Sequence, residues 1–115
     1  MHKLEKKIVD LGGIDTPIEN VYIGEWFDSV KITFMSHENA ERVVCDFKNC
    51  FDISLKHDKS YPKSKNEDGE LSYKYFIQDL SVVEKEGFFI FKISAWPLDG
   101  EIICKEIIID VENGQ

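Results

Sequence analysis

The sequence predicts a mainly β protein, an antiparallel β-sandwich or partly closed barrel with one or two short helical turns. Three observations carry that reading. Apolar and polar residues alternate with period two through most of the chain after Asp28. Turn-forming residues interrupt the alternation at short intervals. One run, "FFIFKISAW", is apolar on both sides of the strand and so calls for cover on both. The 115 residues fit one β-rich domain, 1–115, with a single core.

The elements follow in chain order. Leu4, Ile8 and Leu11 recur at helical spacing, and Gly12-Gly13 would end a helix there; an edge strand from Lys6 to Asp10 is the alternative. In "TPIE", Thr16 can cap a helical turn, with Pro17 its first residue and Glu19 the reciprocal capping carboxylate. "DSVKITFMS" reads as a strand with Val30, Ile32 and Phe34 on one face. "RVVCDF" places Val43, Cys45 and Phe47 together, and Asn49 suits a turn. "NCFDISLKH" then sets Phe51, Ile53 and Leu55 inward with Asp52, Ser54 and Lys56 outward.

A long polar loop, 57–70, joins this strand to the next. "LSYKYFIQDLSVV" is long for one strand, and a bend is expected near Gln78 and Asp79. "EKEG" is a turn in which Gly87 can take positive φ. Phe89, Phe91, Ile93 and Ala95 share a face of the following strand. Asp99-Gly100 is a favoured hairpin pair, which would set Trp96 opposite Ile103 and Phe91 opposite Ile108. Tyr22, Trp26 and Phe27, just before the first clear strand, are expected to cap the open end of the core.

Composition narrows the function. The net charge of −8 repels phosphate backbones, which argues against nucleic acid and favours a basic protein partner. No apolar run approaches the ~20 residues of a membrane helix. The N-terminus has no continuous apolar segment of a secretory signal, so a cytoplasmic location is expected. Cys45, Cys50 and Cys104 cannot all pair within the chain and read as reduced, packed thiols.

Chemistry-bearing patterns are sparse. His37-Glu38 and His57-Asp58 lie in polar turns, and a metal site would require those turns to converge. The ligand spacing of a metal motif is absent, and no cofactor is implied. A small hydrolase, isomerase or ligand carrier would draw on His37, His57, Asp46 and Asp52 in a shared pocket. The alternative to both is a structural domain. The reading favours binding over catalysis. Within 57–70, three lysines face four carboxylates, so the loop is no basic arm. Its sharper reading is a protein-binding patch made by Tyr61, Glu67, Asp68 and Glu70, with Tyr73 and Tyr75 beside it. The plainer reading is a solvated connection.

"YIGEWF" at Tyr22–Phe27, "SVKITF", and "YFIQDLSVVEKEGFFIFKISA" together resemble a family of small, uncharacterised, β-rich bacterial proteins. The resemblance implies a β-rich domain and no reaction. In size, acidity and β-content the chain is also similar to small bacterial immunity proteins, which neutralise toxins by covering them. That likeness implies a non-enzymatic protein-binding role.

Overall fold

The computed structural model describes residues 2–36, 41–60, 67–68 and 75–112. It opens with a helix, α1 (Lys3–Asp10). His2 caps it, its ring nitrogen Nδ1 accepting from the Leu4 backbone N–H at 3.1 Å. The cap fixes the tautomer, because with Nδ1 accepting, Nε2 carries the proton and donates to Glu84 at 3.1 Å. His2 also meets Phe89 edge-on and is therefore a fixed part of the packing. The helix ends as Gly12-Gly13 predicts. Gly12 takes φ +89°, its N–H bonds the Val9 carbonyl, and the Gly13 N–H bonds that of Ile8. These two bonds form a Schellman motif.

The remaining described elements are strands: β1 (Ile18–Gly24), β2 (Ser29–Ser36), β3 (Glu41–His57), β4 (Asp79–Lys85), β5 (Phe88–Ala95) and β6 (Leu98–Glu112). All six hydrogen-bond into one antiparallel sheet in the order β1-β2-β3-β6-β5-β4. Two meanders, β1-β2-β3 and β6-β5-β4, therefore join through the long central pair β3 and β6.

This sheet is strongly bent. Phe47 on β3 lies opposite Ile107, whereas Phe91 on β5 lies opposite Ile102, five residues away along β6. In a flat sheet that offset is about 17 Å along the strands plus two strand spacings of about 4.8 Å each. Yet the Phe47 and Phe91 rings are 4.6 Å apart, centre to centre. Only a sheet folded towards itself allows this contact. Its two halves oppose their inner faces as in an open sandwich. Val30, Phe34, Val43 and Phe47 come from one half, and Val82, Phe91 and Ile102 from the other. Ile8 of α1 is buried in the same cluster.

The bend has a visible cause in β3 and β6. Inward positions run Val43, Cys45, Phe47 and then Cys50, skipping two exposed residues. On β6, Cys104 and Ile107 are buried around exposed Lys105 and Glu106. Asn49 takes φ +55°, and the register slips by one between Cys50 and Asp52. Phe51 is the extra residue of this β-bulge. The expected break at Asn49 is thus a bend inside one 17-residue strand. Phe51 is turned outward, contrary to the alternation expected from "NCFDISLKH", while Ile53 does pack inward.

Two further expectations are corrected. "TPIE" forms no helical turn. The Thr16 hydroxyl is fully buried and donates to the Met35 carbonyl at 2.8 Å, so it is not available as a cap, and the chain enters β1 at Ile18. The last hairpin does not turn at Asp99-Gly100. Ala95 pairs with Leu98, so the chain reverses at Trp96-Pro97, whose peptide bond is cis, the arrangement of a type VI turn. Asp99 and Gly100 stay within β6, and Phe91 faces Ile102. Gly100 is closely packed there: a Cβ would fall 2.7 Å from Leu55 Cδ2 and 3.0 Å from Ile93 Cγ2, and those methyl groups would have to shift to admit it.

The edges are treated differently. Pro17 bridges Phe76, and the Ile18 N–H donates to the Tyr75 carbonyl. The chain just before β4 thus touches the chain just before β1, and among the described residues this is where the two edges meet. Ile77 and Gln78, which belong to no strand, separate this bridge from β4, and the register of β4 is unbroken from Asp79 on. Along β4, the Val82 N–H donates to Glu5 Oε1 of α1 at 2.9 Å, which occupies an edge donor that would otherwise be open.

Candidate functional site

The long loop has a topological reason. β3 ends at the centre of the sheet and β4 begins at its far edge, so the ends of the connection from His57 to Asp79 lie three strand positions apart. Three strand spacings make that about 14 Å sideways. The start of the connection is pinned. The Asp58 N–H donates to the Pro97 carbonyl, and Asp58 Oδ1 accepts from the backbone and hydroxyl of Ser60 at 2.8 and 2.6 Å. Those two bonds hold the Asp58 carboxyl below its ordinary range.

Of the residues expected to form a binding patch, Tyr61, Glu70 and Tyr73 lie outside the described residues. Glu67 and Asp68 are exposed at a turn. Tyr75 is half-buried, with its hydroxyl 2.9 Å from His57 Nδ1 and its ring edge-on to the imidazole. This contact ties the end of β3 to the bridge at Pro17–Phe76.

The residues of the catalytic alternative are spread out. His37 lies outside the described residues. Asp46 and His57 are eleven residues apart on β3, a contour of about 35 Å. Asp46 is engaged by Ser29 Oγ at 3.3 Å and by Lys48 Nζ at 4.0 Å. Among the described residues, no three His, Cys, Asp or Glu side chains are grouped to hold a metal. Burial pushes the Cys45 thiol up to about 12. Burial, reinforced by neighbouring Cys50, does the same for Cys104, also to about 12. Cys50 is raised by burial and by nearby Asp28 and Asp46. Raised thiols are poor nucleophiles, so these cysteines are packing residues.

What the structure does gather is aromatic and apolar surface. On the outer side of the bend, Phe51 and Phe88 meet edge to face at 5.2 Å, and Lys105 Nζ lies 5.2 Å from the Phe88 ring centre. Beside them runs a cross-strand row, Val83–Ile90–Ile103, set by the pairing of β4, β5 and β6. Val83 is 52% exposed and Phe51 66%. A polar trough of about 490 Å³ continues the same face, lined among others by Lys56, Asp79, Lys92, Ser94, Asp99 and Glu101. Lys92 and Glu101 are paired across strands at 3.7 Å.

The β1–β2 turn adds to this surface. Gly24 pairs with Ser29, leaving four residues, Glu25–Asp28, to reverse the chain. Glu25, Trp26 and Phe27 all take left-handed φ, +53°, +58° and +67°, and the Asp28 N–H closes onto the Glu25 carbonyl. Positive φ at both central residues is the sense of a type I′ turn, which ordinarily selects Asn and Gly. Left-handed φ in a non-glycine costs roughly 1–2 kcal/mol per residue. The outcome is display, with Trp26 98% and Phe27 70% exposed. The expectation that Tyr22, Trp26 and Phe27 cap the core is therefore corrected. Four residues between paired strand ends are too few to fold back over it. That interval was the legible signal, once the two strands were known to pair. The Asp28 carbonyl accepts from the Cys50 N–H at 3.0 Å, so the turn stands next to the Phe51 bulge.

A profile of the family described as "Immunity protein PIM7" matches residues 1–111. The chain belongs to this immunity-protein family. None of the curated protein sequences matches it significantly. Among solved structures, it is similar to a crystal structure of an uncharacterized protein from Neisseria gonorrhoeae. The TM-score is 0.60 at 9% identity, covering 84% of this chain and 91% of the other. At that identity the likeness concerns the fold alone. Membership agrees with the immunity-protein likeness drawn from size, charge and β-content. Among the described residues, no helix is long and apolar enough to cross a membrane.

Proposed function

We propose that this immunity-family chain neutralises a bacterial toxin by binding it directly, using the surface that runs from the β1–β2 turn over the Phe51 bulge to the Val83–Ile90–Ile103 row. The family match over residues 1–111 carries the reading. The surface supports it, since exposed aromatics beside a charged trough have the composition of an interface with an apolar centre and polar rim. With a net charge of −8, the fitting partner is a basic protein. Exposed Glu67 and Asp68 offer it a second acidic contact. The site of action is the cytoplasm, in keeping with an odd number of cysteines, two of them buried with raised thiol pKa values.

Co-expression with candidate basic toxins tests this, the products of neighbouring genes being taken first. The expected result is restored growth together with a stoichiometric complex on size exclusion. Failure to protect, or protection without any complex, would sink direct neutralisation.

A further inference from the structure

We infer that Trp26 is the anchor of the toxin interface, and that it enters an apolar pocket on the toxin whose rim is cationic. The inference rests on the direct-binding reading above and specifies the chemistry of the partner. Trp26 stands nearly free of its own fold at 98% exposure, so a pocket can enclose the whole indole. Its turn is closed by the Asp28-to-Glu25 backbone bond and held to β3 through the Asp28 carbonyl and Cys50. The backbone that carries the indole is thus ordered before docking, and only the two side-chain torsions of Trp26 remain to be fixed. Tryptophan on a fixed backbone is also the residue type most enriched where single interface positions dominate affinity.

The charge of the pocket's rim follows from the neighbours of the indole. Glu25 and Asp28 are both exposed and flank the two aromatics, and neither makes an ion pair among the described residues. The nearest cations on the flanking strands are set back. Lys31 sits opposite Tyr22, and Lys48 leans to Asp46 at 4.0 Å. The tip therefore presents an apolar plug between two uncompensated carboxylates. A pocket that accepts it must pair those charges as it removes their water, which requires Lys or Arg at its mouth.

The purified toxin against which the chain protects in co-expression is titrated calorimetrically with the wild-type chain and with Trp26→Ala, Trp26→Phe and Glu25→Lys. Trp26→Ala is expected to weaken binding by about 30-fold or more, the scale of a dominant interface residue. Its urea unfolding midpoint should match wild type, because the indole packs against nothing. Trp26→Phe should recover most of the loss, and Glu25→Lys, which sets a cation against the cationic rim, should also weaken binding. A wild-type complex that Trp26→Ala weakens by less than about 3-fold overturns the anchor and leaves direct binding standing. A wild-type chain that forms no complex overturns direct binding and the anchor with it.

Discussion

Cys45 shows how one buried side chain sets a pH limit. Its thiol is raised to about 12 by burial, above the unfolded value near 9. A raised thiol pKa leaves stability unaffected while both states stay protonated, below about pH 9. Above that the unfolded chain loses the proton first, and stability falls at up to about 1.4 kcal/mol per pH unit until the folded thiol also titrates. Urea unfolding between pH 7 and 11 should therefore show a plateau and then a decline, and Cys45→Ala should make the decline shallower. Phe27 makes the opposite point, because its backbone is strained for the sake of display. Phe27→Gly relieves a left-handed φ in an exposed residue, and a gain of about 0.5 kcal/mol is expected by chemical denaturation. A clear loss would mean that the ring stabilises its own turn.

At the scale of elements, α1 does two jobs that its sequence only half declares. The spacing of Leu4, Ile8 and Leu11 and the Gly12-Gly13 stop were readable as a helix. The Glu5 contact to the Val82 N–H was not, since it joins residues 77 positions apart. Glu5→Ala should leave the helix in place, cost about 1 kcal/mol, and speed hydrogen exchange at Val82 more than at Phe91. Equal exchange at Val82 in both proteins would show that the β4 edge needs no such cover. The strands divide in the same way. Val30, Ile32 and Phe34, and likewise Phe89, Phe91, Ile93 and Ala95, fall on the faces their alternation predicts. Phe51 does not, because the kink at Asn49 and the bulge at Phe51 each shift the alternation by one residue, so that Cys50 packs inward between them and Ile53 returns to its expected face.

For the whole molecule, the net charge of −8 and the apolar outer face act at different stages of an encounter. Long-range attraction governs approach, whereas desolvated contacts govern residence. Stopped-flow association with the toxin should slow as salt is raised from 50 to 500 mM, on the order of tenfold or more, with dissociation changing far less. An association rate indifferent to salt would remove the basic-partner proposal. The bent sheet matters here because it brings the β1–β2 turn alongside the Phe51 bulge and the outer face of β5 and β6, so one partner can reach all three.

The sequence by itself determined the β class, most inward-facing residues, the helix stop at Gly12-Gly13 and the acidic balance. Each depends on neighbours within a few positions or on composition alone. Tertiary structure decided the rest. Strand order placed β4 at the far edge of the sheet, three positions from β3. The bulge at Phe51 bent the sheet and reversed one aromatic. The pairing of Gly24 with Ser29 left Trp26 no room to turn inward. These are consequences of contacts between distant residues, and local alternation contains no term for them.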